Sequence, residues 1–133
     1  MMKFSARVQN NPNDHQVTLK VGDREQSLSI APRQTGGSSV SGGELLFLAL
    51  ATCYCNDIYR EAARRNMKVE SVEVEVTGDF EAEGKPASNI VYRAKIKANA
   101  SNDEIRELMK HTDAVAEIQN TARAGVPVRL ETT

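Results

Sequence analysis

The feature that most constrains the fold is a long predicted helix over residues 42–66, whose two halves differ in character. Its first half, ELLFLALATC, is apolar on every side, whereas its second half, NDIYREAARRN, is charged except for a stripe through Ile58 and Ala62. Ser41 and Glu44 form an S-x-x-E capping box, which satisfies two free amides at a helix start. Such a helix enters the protein interior and then leaves it towards solvent.

Alternating apolar residues on both sides of this helix predict β-strands. Residues 4–8, 17–21 and 28–30 alternate and are separated by NNPND and by Gly22-Asp23, a pattern typical of consecutive hairpins. Residues 72–76 and 90–96 alternate in the same way, and the acidic outer face of the first suits the basic outer face of the second. The sequence therefore predicts two antiparallel sheet segments.

The C-terminal third predicts two helices and a last strand. A second capping box, formed by Ser101 and Glu104, starts the first helix. A strand is expected over residues 126–130, at an edge or an end because it contains a proline. The helices are predicted to reach His111 and, from a cap at Thr112 or Asp113, Asn120.

These elements predict an α+β fold in which antiparallel sheet segments surround a long buried central helix. The 133 residues are expected to form one domain, 1–133, because a chain of this length has one core and the sequence shows no repeat. A helix that is apolar on all sides needs more cover than one small sheet provides. The remaining cover comes either from the second helical segment or from a partner subunit, and we expect a homodimer.

Charge and hydropathy exclude several classes of partner. Seventeen basic residues balance 18 acidic ones, so neither nucleic acid nor an anionic membrane surface is expected as a partner. The longest apolar run, residues 45–51, is far shorter than the roughly 20 residues that span a bilayer. The first residues are too polar for a secretion signal, which predicts a cytoplasmic protein.

Cys53 and Cys55 are the most conspicuous candidates for chemistry. Two positions apart on a helix they point about 200° away from each other, so they cannot pair. Each is either a small buried hydrophobe or a reactive thiol, and a reactive thiol needs a cation, a histidine or a helix N-terminus beside it. Glu44 lies about 13 Å along the helix from Cys53, on the opposite side. It is either only the capping acid or part of a site shared with another subunit.

Other candidate residues carry weaker signals. His15 lies in a turn, His111 lies near a helix end, and neither has a cysteine or carboxylate at ligand spacing. Arg33 precedes a Gly-rich loop and is either a surface charge or a residue that covers a pocket. Because ligand spacing is lacking around the histidines, no metal is expected. Neither a phosphate-binding motif nor a dinucleotide-binding motif is present, so no cofactor is expected.

Three motifs in order give the chain a family resemblance. PRQTGG, then SGGELLFLALATC with its cysteine nine positions after the glutamate, and finally IQNTARAGVPVRL resemble the OsmC/Ohr family of osmotically inducible and organic hydroperoxide resistance proteins. The resemblance implies an intertwined homodimer with an antioxidant site at the subunit interface. There Cys53 would attack an organic hydroperoxide and become a sulfenic acid, and Glu44 would come from the partner chain.

The chain departs from the family at several places. The family's resolving cysteine corresponds to Ala116, and Gly43 stands where the hydroperoxide-resistance members have an active-site glutamate that follows a proline. The hairpin loop NNPND lacks the family's arginine, for which Arg7 and Arg33 are the nearest candidates.

Two hypotheses follow. In the first, the protein is a thiol-dependent peroxide reductase that uses Cys53 alone and an external thiol reductant. In the second, it is a diverged dimer that binds an apolar small molecule and has no peroxidase activity. A purely structural interaction module is a third possibility.

Overall fold

The computed structural model describes residues 1–132 and divides the chain into two compact units, Met1–Leu45 and Leu46–Thr133. The first unit contains a three-stranded antiparallel sheet in the order β1-β2-β3. Its register places the predicted apolar residues opposite one another, as in the pairs Ala6 with Leu19 and Val8 with Val17. The strands are β1 (Phe4–Asn11), β2 (Asp14–Val21) and β3 (Arg24–Leu28).

The Gly-rich loop after β3 is ordered by hydrogen bonds to the β1–β2 hairpin. The side chain of Asn10 donates to the carbonyl of Gly37 over 3.0 Å and accepts from its N–H over 2.8 Å. Gly37 has a φ of 92°, a backbone conformation that L side chains rarely adopt, so glycine is favoured at this position. The Gly-rich segment is therefore confirmed as a loop, and its backbone is held by the side chain of Asn10.

The long helix is confirmed as α1 (Gly42–Arg64), and it begins with the predicted capping box. Glu44 N–H donates to Ser41 Oγ over 3.1 Å, and Ser41 N–H donates to a Glu44 carboxylate oxygen over 3.3 Å. Leu46 and Leu48 are exposed, whereas Leu50 is buried. The first apolar turns of α1 are therefore not covered on all sides by residues 1–132.

In the second unit, α1 is followed by a two-stranded antiparallel sheet and two helices. The predicted charge pairing is confirmed, with Glu73 opposite Lys95 and Glu75 opposite Arg93. The inner face of the sheet packs on a core formed by Tyr54, Ile58, Ala62 and Leu108. The elements are β4 (Val69–Asp79), β5 (Ser88–Ala98), α2 (Asn102–Val115) and α3 (Glu117–Ala124).

The predicted helix start at Thr112 or Asp113 is wrong, because α2 continues through both residues to Val115. Thr112 is buried and its hydroxyl donates to the Leu108 carbonyl one turn earlier, so it is not available as a cap. The break instead occurs at Ala116, whose φ of −72° and ψ of 113° are extended. The predicted capping box at the start of α2 is confirmed, since Ser101 and Glu104 exchange both of its hydrogen bonds.

The predicted last strand is also wrong for the described chain. Residues 126–130 form no ladder with any strand among residues 1–132. Gly125 ends α3 in the left-handed conformation, with a φ of 60°, and the residues after it are exposed. Alternation alone does not make a strand, because a strand needs a partner edge.

Candidate functional site

Cys53 lies in the middle of α1, with its sulfur against a carboxylate of its own helix. Residues four apart lie on the same face of a helix, which brings Asp57 under the cysteine. The Cys53 S–H donates to Asp57 Oδ2 over 3.5 Å, and Glu117 Oε1 at the start of α3 lies 3.9 Å from the sulfur. The thiol is half-buried and is not part of a disulfide.

Arg60 connects the carboxylates around the thiol. Its Nη1 lies 3.2 Å from Asp57 Oδ1 and 3.0 Å from Glu117 Oε2, while its Nε donates to Glu61 over 2.7 Å. Because Arg60 holds Oδ1 of Asp57, the second oxygen of that carboxylate is left to face the thiol. The guanidinium therefore orients Asp57 as well as compensating its charge.

Glu61 is a second buried carboxylate beside this cluster, with 3% of its surface exposed. Besides Arg60, it accepts from Arg64 over 2.8 Å and lies 2.7 Å from His111 Nε2 of α2. The hydrogen bonds from Arg60 and then from His111 hold the pKa of Glu61 below its usual range. Glu61 thus helps to hold the Arg60 guanidinium in place.

The surroundings of Cys53 favour the neutral thiol. Burial is the largest cause that raises its pKa above the ordinary value, and the charge of Asp57 raises it further. A hydrogen bond from the backbone N–H of Ile118 acts in the opposite direction and lowers the pKa. The net direction is upward, so this unit alone does not produce the stabilised thiolate of an activated cysteine.

The first residue of α3, Glu117, contacts the same sulfur. Ala116, the residue before the helix, has no side-chain acceptor for the free N–H groups of the first turn. The backbone N–H of Ile118, in this first turn, acts to lower the pKa of the Cys53 thiol. Ala116, where the sequence resemblance implies a resolving cysteine in other members, is fully buried.

Glu44 and the two arginines named from the sequence belong to the first unit, whereas Cys53 belongs to the second. An oxygen of Glu44 accepts the Ser41 N–H in the capping box. A catalytic role for Glu44 stays a prediction, as does an activating role for Arg7 or Arg33. Cys55 is half-buried and unpaired.

Asp57, Arg60 and Glu117 were not predicted from the sequence as site residues. The first two carry a readable signal, because Cys53, Asp57 and Arg60 follow one another at helical spacings of four and three. Glu117 carries no such signal in the sequence, because only the packing of α3 against α1 brings it to the thiol.

Cys53, Asp57 and Glu117 are also the donor types that hold metal ions, with ligand atoms within 4.8 Å of one another. In this chain the Arg60 guanidinium already pairs with both carboxylates and supplies the positive charge between them. The group does not fit a metal ion, because a cation would have to displace that guanidinium.

No helix among residues 1–132 is long and apolar enough to cross a membrane.

Comparison with solved structures gives similar folds over most of the chain. An OsmC-like protein from Mycoplasma pneumoniae has a TM-score of 0.63 and 18% identity, over 90% of this chain and 87% of that one. An OsmC-like protein of unknown function from Vibrio cholerae has a TM-score of 0.64 and 16% identity, over 91% and 94%. An OsmC-like hydroperoxide resistance protein from Jannaschia has a TM-score of 0.55 and 12% identity, over 97% and 87%.

At these identities the likeness establishes the fold alone. No curated protein matches the chain in sequence. The sequence model of the OsmC-like protein family matches residues 35–131, which include α1 with Cys53, the β4–β5 hairpin and both later helices. By this match and the shared fold, the chain belongs to the OsmC-like protein family.

Proposed function

We propose that the protein is a thiol-dependent reductase of organic hydroperoxides that uses Cys53 as its single peroxidatic cysteine. The observation that carries the proposal is the placement of the Cys53 sulfur, which lies 3.5 Å from the Asp57 carboxylate and 3.9 Å from Glu117 Oε1 in the first turn of α3. A carboxylate can accept the proton of a thiol, and the N-terminus of a helix favours negative charge on a sulfur beside it. The name of the Jannaschia neighbour agrees with this chemistry.

The reaction would proceed without a second cysteine of the chain. Position 116 is alanine, and Cys55 points away from Cys53 on the same helix. The sulfenic acid formed on Cys53 would therefore condense with an external thiol, and a second thiol would reduce that mixed disulfide. Such reductants are available in the cytoplasm, where we place the protein.

The working unit would be a homodimer. Leu46 and Leu48 of α1 are exposed, and the apolar C-terminal residues Val126, Val128 and Leu130 are between 52% and 98% exposed. A second copy would cover these side chains and give the C-terminal segment an edge to pair with. It would also supply Glu44 to the partner's thiol, as the family resemblance implies.

The test is oxidation of the reduced protein by one equivalent of cumene hydroperoxide, with sulfenic acid trapped by dimedone and located by mass spectrometry. We expect rapid labelling of Cys53, its loss in Cys53→Ser, and unchanged labelling in Cys55→Ser. Oxidation of Cys53 no faster than that of free cysteine would refute the proposal.

The raised pKa of Cys53 and the alanine at position 116 favour a second candidate, a dimer that binds an apolar small molecule without reducing it. The two candidates separate in one comparison. Cumyl alcohol, which has the shape of the hydroperoxide without its O–O bond, would bind in calorimetry while Cys53 stays unoxidised by the peroxide. Fast oxidation of Cys53 would exclude this candidate.

A further inference from the structure

We propose that Asp57 is the general base that accepts the proton of Cys53 when the sulfur attacks. This inference rests on the proposed function, in which Cys53 is the nucleophile. It assigns a catalytic role to a residue on the same helix, in direct contact with the reacting atom.

The geometry singles out Asp57 among the nearby groups. Its Oδ2 lies 3.5 Å from the sulfur and is the nearer acceptor, since Glu117 Oε1 lies 3.9 Å away. The other Asp57 oxygen lies 3.2 Å from Arg60, which fixes the carboxylate with Oδ2 towards the thiol. Asp57 is 6% exposed, so bulk water does not compete strongly for the proton.

The charged and titratable groups that face Asp57 come from two helices. Cys53, Arg60 and the side chain of Glu117 contact it, the first two from α1 and the last from α3. Glu61 is linked to it only through Arg60. The guanidinium is therefore the positive charge that offsets both carboxylates, and it is a positioning residue for Asp57.

The step balances without any further reactant. The Cys53 S–H bond breaks and its proton goes to Asp57 Oδ2, which leaves a thiolate. The thiolate forms a bond to the terminal oxygen of the hydroperoxide as the O–O bond breaks, so sulfur is oxidised by two electrons to the sulfenic acid. The alkoxide that leaves takes the proton back from Asp57 and departs as the alcohol.

Replacing Asp57 by asparagine distinguishes a general base from a neighbouring negative charge, because the two roles predict opposite changes in the rate at which Cys53 is oxidised. The negative charge of Asp57 raises the pKa of the thiol, so its loss should lower that pKa and speed the reaction if charge is all that matters. If Asp57 is the base, Asp57→Asn should slow oxidation by cumene hydroperoxide near neutral pH by roughly 100-fold. Both outcomes are measured by stopped flow in a Cys55→Ser background.

The pH dependence gives a second readout. With the base in place, the rate should vary little between about pH 6 and pH 8, whereas in Asp57→Asn it should rise about tenfold per pH unit, with the thiolate fraction. The thiol pKa, followed by thiolate absorbance, should fall in the same variant. A lower pKa together with an equal or faster rate would overturn the proposal.

Asp103→Asn is the matched control, because it makes the same substitution on α2 at an exposed carboxylate that pairs with Arg106. It should react at the rate of the parent, and a loss as large as that of Asp57→Asn would overturn the assignment. Alkylation by iodoacetamide repeats the comparison without peroxide. If the parent protein reacts with peroxide no faster than free cysteine, the proposed function fails. The alkylation still tests Asp57 as a base: a slower reaction of Asp57→Asn supports that role, and an equal or faster one overturns it.

Discussion

Replacing Ile58 by alanine is expected to lower the free energy of unfolding by about 3 kcal/mol. Ile58 is fully buried at the centre of the second unit, in a cluster with Tyr54, Ala62 and Leu108. The substitution removes three carbon atoms, and at about 0.8 kcal/mol each the lost burial alone amounts to roughly 2.4 kcal/mol. The cavity left among rigid neighbours raises the total towards the middle of the usual range for such truncations, about 2–5 kcal/mol.

The size of the effect should follow the number of atoms removed. Ile58→Val removes one carbon and should cost about 1 kcal/mol, roughly a third of the alanine effect. Met2→Ala truncates a side chain that is 66% exposed and lies before β1, and it should change the free energy by no more than about 0.5 kcal/mol. Only the buried position should show a graded loss.

Urea unfolding of the reduced protein, followed by circular dichroism, measures these differences from midpoints and slopes. Each variant is measured at several protein concentrations, because the midpoint of a dimer depends on concentration. Ile58→Ala costing less than about 1 kcal/mol at an unchanged slope would show that the core is not packed around this residue as described.

Three further predictions concern the caps, alkaline pH and the missing cysteine. Ser101→Ala should destabilise the protein by about 1 kcal/mol in urea unfolding, because it leaves the Glu104 N–H without its acceptor, and no measurable loss would contradict the capping box. Burial raises the pKa of Tyr54 to about 12 and, with a hydrogen bond to Asp113, raises that of Tyr92 as well. An unfolded tyrosine titrates near pH 10, so the stability that each raised pKa contributes is complete below about pH 10 and is lost as pH rises through the pKa of the folded state. The urea midpoint should therefore fall above about pH 10, and it should fall less steeply in Tyr92→Phe. Ala116→Cys, next to the residue whose carboxylate lies 3.9 Å from the Cys53 sulfur, should form a disulfide with Cys53 after one equivalent of cumene hydroperoxide, and mass spectrometry that finds only sulfenic acid would place residue 116 out of reach.

The sequence was sufficient wherever a local pattern decides the structure. The capping boxes need only residues three positions apart, and both form as predicted. The charged faces of β4 and β5 follow from alternation and hairpin pairing, which put Glu73 opposite Lys95. Patterns of this kind are satisfied within one element or between two adjacent ones.

The errors arose where distant contacts decide. Thr112 has the chemistry of a cap, but burial in α2 commits its hydroxyl to Leu108. Residues 126–130 alternate like a strand, yet no strand edge among residues 1–132 pairs with them. Glu117 could not be found from spacing, because it meets Cys53 only through the packing of a helix that lies more than 50 residues further along the chain.

The two carboxylates beside Cys53 lie in different surroundings, and the difference has the direction that the proposal for Asp57 requires. Burial and a hydrogen bond with Glu117 raise the pKa of Asp57. The pKa of Glu117 is lowered by a hydrogen bond from the Glu117 backbone N–H and by the hydrogen bond with Asp57. Environments that push two neighbouring pKa values apart separate a group that exchanges protons from one that stays charged, and these two directions agree with the proposal. The geometry carries it, because Asp57 Oδ2 lies 3.5 Å from the sulfur, whereas Glu117 Oε1 lies 3.9 Å away and the other Glu117 oxygen pairs with Arg60. A net charge of −1 for the whole chain reveals none of this, because the proposal depends on how single carboxylates are placed around one sulfur.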